Sequence, residues 1–216
     1  MPSLIVPSLD LEQSFWRDGF LRLVGIDEAG IGPIAGPVVA AAVRLPPWAG
    51  IIPGVRDSKT LSAARREELL AQIVGAAAAV GVGAASVDEI ARLNVRRASH
   101  LAMARALARI GRFDHLLIDG RPIRDHDLGP RTTIVDGDAI SFSISCASIV
   151  AKVCRDRLMT KLARRFPLYG WEHNFGYPTV LHLAALRSRG VTPYHRSEFG
   201  PVRALRQRAP VETPCD

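Results

Sequence analysis

The sequence predicts an α/β domain with a mixed β-sheet flanked by helices, and three observations carry that prediction. Short apolar stretches of strand length alternate with stretches of helical period between Phe20 and Val135. One of them, His115-Leu116-Leu117-Ile118, has no polar face, as expected of a strand covered on both sides. Beyond Val135 the pattern turns helical, over Ser143–Arg165 and again over Thr179–Arg189.

Taken in order, Phe20–Asp27 reads as a strand that runs into the turn Gly30-Ile31-Gly32-Pro33, and Pro37–Leu45 reads as a second strand. A Pro- and Gly-rich connector follows. Ser62–Val74 has helical period, and the small apolar segment Ala77–Ala85 gives a third strand. Ser86 and Glu89 stand three apart, the spacing at which each side chain meets the other's free amide and opens a helix, here expected to reach about Ile110. Asp119-Gly120 stops the central strand, Thr132–Val135 supplies another, and Gly190 ends the last predicted helix. With no repeat, low-complexity tract or linker, the expectation is a single domain over residues 1–207, with a C-terminal helical extension from about 160 and a flexible tail over 208–216.

A chain of 216 residues buries a core without covalent staples. Cys146, Cys154 and Cys215 form neither a disulfide framework nor a paired zinc motif, and read as reduced thiols. Met1–Glu12 lacks the pattern of a secretory signal, and the apolar run from Ile73 to Ala85 is too short and too broken by glycine to span a membrane, so a cytoplasmic protein is expected. The net charge of +7 favours a polyanionic partner. Most of the basic residues are arginine; the lysines are Lys59, Lys152 and Lys161.

Hydrolysis of a phosphodiester with divalent metals requires several carboxylates at one point. Asp27 and Glu28 close one predicted strand, Asp119 closes another, and Asp138, within Asp136-Gly137-Asp138, closes a third. Strand neighbours point to opposite faces, so Asp27 and Glu28 share a metal only if the chain bends, which Gly25, Gly30 and Gly32 would permit. Each acid beside a glycine is ordinary turn chemistry by itself; their joint occurrence points to a metal centre. Gly30 to Ala35 also matches the dinucleotide fingerprint G-x-G-x-x-A, but Pro33, Pro37 and the valines after them predict a strand where that fingerprint needs a helix.

The run Gly25-Ile26-Asp27-Glu28-Ala29-Gly30-Ile31-Gly32-Pro33-Ile34-Ala35-Gly36-Pro37-Val38-Val39-Ala40 resembles the N-terminal signature of ribonuclease HII. Further matches follow in family order: Asp57 to Ser62, Ile118-Asp119-Gly120, Gly137-Asp138, Ala147 to Asp156, Gly176 to Thr179, and His195-Arg196. The resemblance implies a ribonuclease H-like fold with a C-terminal helical extension. It implies an endonuclease that cuts RNA–DNA hybrids, and DNA duplexes containing ribonucleotides, on the 5′ side of a ribonucleotide, leaving a 3′-hydroxyl and a 5′-phosphate. Asp27, Glu28, Asp119 and Asp138 fall at the family's four catalytic, metal-binding positions, with magnesium or manganese as cofactor. A monomer is expected.

The same resemblance places the turn Gly30-Ile31-Gly32 against the ribose 2′-hydroxyl and Tyr177 beneath the sugar at the RNA–DNA junction. Lys59 is a candidate phosphate contact, and Asp156 an ion-paired residue that orients the site from behind. Ala147, Ser148 and Ala151 are small residues that let a long helix approach the sheet. The chain departs from the family pattern at Ile31, Asp136 and Phe175, where a basic residue is usual, and at Pro178, where glycine is commoner. Those departures predict a weaker hold on phosphate, or a degenerate relative that binds hybrids with little turnover; the four retained acids favour an active enzyme.

Overall fold

A computed structural model of the chain describes residues 6–120 and 128–208. Helix α1 (Asp10–Arg17) precedes strands β1 (Leu23–Ala29) and β2 (Val38–Arg44). Helix α2 (Ala63–Ala76), strand β3 (Ala79–Ala85), helices α3 (Val87–Leu93) and α4 (Val95–Ile110), and strands β4 (His115–Asp119) and β5 (Arg131–Ile134) follow. The C-terminal part is helical: α5 (Gly137–Ile140), α6 (Phe142–Arg165), α7 (Trp171–Asn174), α8 (Val180–Arg189) and α9 (Gly200–Arg208). The five strands form one mixed sheet in the order β3-β2-β1-β4-β5, antiparallel from β3 to β1 and parallel from β1 to β5.

Strand alternation sorts the sheet into two faces. Leu23, Leu117, Ala41 and Val43 face α6 with Phe142, Ile144, Ala147 and Ala151, while Val24, Ile26, Leu116 and Ile118 face α4 with Ala98, Ala102 and Ala106. The small residues of α6 bring that helix close to β1, as expected. Gly25 completes the fit: a Cβ there would lie 2.3 Å from the Ser143 carbonyl carbon. Gly81 and Gly83 do the same beneath α4, where a Cβ would lie 2.2 and 2.1 Å from the Ala106 and Ala102 carbonyl oxygens.

Several elements differ from the sequence reading. The expected helix after Ser86 opens with the predicted reciprocal cap between Ser86 and Glu89 but breaks at Asn94, whose φ of 65° no helix accommodates; its side chain then caps α4 by accepting from the Arg96 and Arg97 amides. Helix α1 was not foreseen. Its Glu12 reaches into the core, where one carboxylate oxygen accepts from the Ser141 hydroxyl (2.6 Å), the Ser143 amide (2.8 Å) and the Ser143 hydroxyl (2.7 Å) at the start of α6. Helix α9 runs to Arg208 where the tail was expected to begin, and the rest of that tail, with Cys215, lies outside the described residues. Among the described residues no helix is long and apolar enough to cross a membrane.

Candidate active site

The parallel pairing of β1 and β4 places Ile26 opposite Ile118, so Asp27 and Asp119, one residue further on each strand, arrive side by side at the carboxyl ends of the two strands. Both belong to the α6 face. Gly137 donates to Asp119 Oδ1 at 2.7 Å, and a Cβ on Gly137 would crowd that carboxylate at 3.2 Å. Glu28 belongs to the other face, where it lines a cavity with Ser99 and Met103 of α4. The bend expected between Asp27 and Glu28 is absent: β1 stays paired with β2 through Ala29, and the Asp27 carboxylate accepts from the Glu28 amide at 2.7 Å. The glycine at 25 serves helix packing instead. Asp119, which lines the Glu28 cavity as well, is what connects the two faces over the end of the sheet.

The electrostatics are those of acids held together against their repulsion. Burial, then Glu28 and Asp119, push the Asp27 carboxyl well above the ordinary carboxylate range. Burial and Asp119 push Glu28 up to about 7, with Ser99 and Lys59 opposing. Burial and Asp138 raise Asp119 despite the Gly137 amide and Lys59. Hard oxygen donors in this state are the donor set of a hard divalent cation. Among the described residues no three acids yet close on a single point as a finished coordination sphere, because Asp27 and Glu28 leave the strand on opposite sides.

Asp138 is not at a strand end, as expected, but in the short helix α5 beyond β5; Asp136, in the left-handed conformation at φ 55°, turns the chain there. Lys59 Nζ lies 3.4 Å from Asp138 Oδ2 and 3.9 Å from Asp57. Although burial opposes it, the acids Asp138, Asp57 and Asp27 hold the Lys59 ammonium above its ordinary pKa. Lys59 rides on a 3-10 turn, Ser58–Thr60, that is fixed from below. Ser58 and Ser148 share a hydroxyl hydrogen bond (2.9 Å), and Arg66 donates to the Ser58 and Leu61 carbonyls at 3.0 and 2.6 Å. Asp156 pairs with Arg66 (3.3 Å) and with Lys152 (2.6 Å), and Arg66 is the residue that holds the Lys59 turn.

The glycine-rich loop is held by two buried arginines to which the sequence reading gave no part. Arg196 donates to the carbonyls of Gly30 (2.6 Å), Ile31 (2.9 Å) and Gly36 (2.9 Å). Arg155 donates to Pro37 (3.1 Å), Ala35 (3.2 Å) and Phe175 (2.9 Å). Burial, and for Arg196 its arginine neighbour, lower them to about 10 for Arg155 and about 9 for Arg196. The one available signal was their position, inside or at the end of matched segments. Gly30 is glycine because φ is 102° and a Cβ would strike the Arg155 side chain at 2.0 Å. Gly32 differs: a Cβ there would meet only the Tyr177 ring, at 3.5 Å. Gly32 and the half-exposed Tyr177 therefore adjoin at the surface, from distant parts of the chain. The loop leads into β2 and not into a helix, which disposes of the dinucleotide fingerprint.

Tyr177 is secured in turn. Its carbonyl lies 2.8 Å from His182 Nδ1, which must donate, so His182 Nε2 is an acceptor, taking the Trp171 indole N–H at 3.0 Å. His195 Nε2, 3.1 Å away, must then be the donor of that pair, and its Nδ1 accepts from the Thr192 amide at 2.9 Å. Both imidazoles are neutral, and burial lowers both, His195 to about 4. Phe175, where a basic residue was expected, lies beneath Lys152, whose Nζ is 4.6 Å from the ring centre.

The matches with known proteins agree with this arrangement. The family model for Ribonuclease HII covers residues 24–202, from the start of β1 into α9. The chain belongs to the ribonuclease HII family. Ribonuclease HII of Thermosynechococcus vestitus is 53% identical over 192 residues, 89% of this chain and 90% of that protein. Ribonuclease HII of Paracoccus denitrificans is 52% identical over 202 residues, 92% and 94% of the two chains. The crystal structure of ribonuclease H2 from Pyrococcus horikoshii matches with a TM-score of 0.69 at 21% identity, covering 87% of this chain and 98% of that one, and at that identity it shows the shared fold alone. As a member of the ribonuclease HII family the chain is a metal-dependent hydrolase of the ribonuclease H type.

Proposed function

We propose that this ribonuclease HII hydrolyses the RNA strand of RNA–DNA hybrids and cuts on the 5′ side of ribonucleotides embedded in DNA, giving a 3′-hydroxyl and a 5′-phosphate. The observation that supports it most is the placement of Asp27 and Asp119 side by side at the ends of β1 and β4, with Glu28 next along β1 and both Glu28 and Asp119 raising the Asp27 pKa. With Asp138 they are the residues that would hold Mn2+ or Mg2+. Two such ions, when bound, supply the positive charge that acidifies an attacking water and offsets charge on the departing 3′-oxygen.

The protein's own groups do the rest. Lys59, exposed over 76% of its side chain and tethered to Asp138, reaches a phosphate beside the acids without leaving them. The exposed surface that Gly32 and the Tyr177 ring form together would seat a sugar, with the loop backbone testing for a 2′-hydroxyl. Arg155 and Arg196 keep that backbone rigid, so recognition costs little reordering. The protein works in the cytoplasm as a monomer.

The test is incubation of a duplex carrying one ribonucleotide with the natural chain and with Asp119→Asn, in Mn2+ or Mg2+. Cleavage 5′ of the ribonucleotide by the natural chain alone is expected. Hybrid binding without turnover by the natural chain would favour a degenerate relative, and equal cutting by both proteins would remove the assignment of Asp119.

A further inference from the structure

A cavity of about 280 Å³ lies on the α4 face of the sheet, directly beside the acids. Its lining includes the carboxylates of Glu28 and Asp119, the apolar Ile31 and Met103, and the arginines Arg96 and Arg131. The sheet explains the second arginine: β5 pairs with β4 so that Arg131 stands opposite Leu116, on the same face.

Arg96 is in a costly place. It lies in the first turn of α4, where the helix dipole disfavours a cation, and that turn contains no acid, whereas the first turns of α1 and α3 contain Asp10, Glu12, Asp88 and Glu89. Its amide is taken by the Asn94 cap, but among the described residues its guanidinium makes no hydrogen bond or ion pair. It lines the same cavity as two carboxylates and pairs with neither. A cation that adds nothing to the helix, and that lines a cavity with two carboxylates without pairing with either, suits an anion that enters that cavity.

We propose that this cavity is a phosphate subsite for the nucleic acid at the active site, with Arg96 as its gripping cation. The inference rests on the hydrolase reading above. It assigns to α4 the positive charge that Ile31, in the same lining, does not provide.

The test is binding of an RNA–DNA duplex by fluorescence anisotropy, with a metal chelator present, over a series of salt concentrations. Arg96→Gln is expected to weaken binding about tenfold and to make the plot of log K against log salt shallower by about 0.9, the effect of one lost phosphate contact. Arg189→Gln, which removes a distant exposed cation, is expected to change neither quantity. Adding Ile31→Arg to Arg96→Gln should recover the affinity by placing a guanidinium in the same cavity. A methylphosphonate linkage walked along either strand then identifies the phosphate, since the linkage that erases the difference between natural chain and Arg96→Gln is the one held. An Arg96→Gln protein that melts normally and binds with the natural slope would overturn the proposal, as would an equal loss in Arg189→Gln. If the natural chain cleaves the duplex while Arg96→Gln matches it, this inference alone falls; if the natural chain neither binds nor cleaves, the hydrolase reading falls first.

Discussion

The acidic end of the sheet and the histidine–arginine knot behind the glycine-rich loop are both dense in buried polar groups, yet they are built on opposite terms. In the knot every ring and guanidinium nitrogen meets a partner: the His182–His195 pair fixes its own tautomers, and two arginines donate to backbone carbonyls through all their nitrogens. At the acidic end, burial raises Asp27, Glu28 and Asp119 alike, and acid neighbours raise each further: Glu28 and Asp119 for Asp27, Asp119 for Glu28, and Asp138 for Asp119. A fold gains nothing from unrelieved repulsion, so the contrast separates the region that supports from the region proposed to react.

The largest expected effect breaks the comparison from the reactive side. Asp119→Asn should reduce cleavage of a ribonucleotide-containing duplex by at least about a thousandfold, a loss on the order of 4 kcal/mol in the transition state. The same substitution relieves repulsion, so its melting temperature should equal or exceed that of the natural chain. A loss of activity accompanied by a large drop in stability would make Asp119 a structural residue and erase the contrast.

On the supporting side, Arg196→Met should cost about 4 kcal/mol by denaturant unfolding, because it strands the carbonyls of Gly30, Ile31 and Gly36 in the interior. A cost below about 1 kcal/mol would mean that the loop is held by other means.

The knot also predicts a pH dependence. His195 titrates near 4 in the fold against an ordinary value of 6.5, so the unfolded chain binds the proton more tightly. Its contribution is complete above pH 6.5 and is lost as the pH falls toward 4, by at most about 3 kcal/mol. Thermal unfolding between pH 7 and 4.5, compared with a His195→Gln protein, should show the natural chain losing stability more steeply. Parallel curves would indicate that His195 is protonated in the fold. A smaller effect is expected of Glu12→Ala, which uncaps α6 and should cost about 2 kcal/mol without changing the site's chemistry.

How legible each region was in the sequence follows from the same contrast. The strands, the reciprocal cap at Ser86 and the long helix over Phe142–Arg165 rest on local periodicity and were readable. The nearness of Asp27 and Asp119 was readable because both were expected at strand ends. The side each one faces was not: alternation alone gives the arrangement observed, and the glycines suggested a bend where Gly25 in fact seats α6. Asp138 was displaced from strand end to helix by the left-handed turn at Asp136, which no periodicity announces. Arg155 and Arg196 act on residues remote in sequence, and His182 on Tyr177 five residues back, all through backbone carbonyls that carry no residue-type signature. Asn94 was in principle visible, as an N-capping residue type in the middle of a helical run.

The most direct measurement is calorimetric titration of Mn2+ into the natural chain and into Asp27→Asn and Asp119→Asn, each in the absence of nucleic acid. If the crowded carboxylates exist to hold cations, the natural chain binds Mn2+ with release of protons at neutral pH, and each substitution weakens that binding by at least about tenfold. Equal Mn2+ binding by all three proteins, or none by the natural chain, would contradict the account.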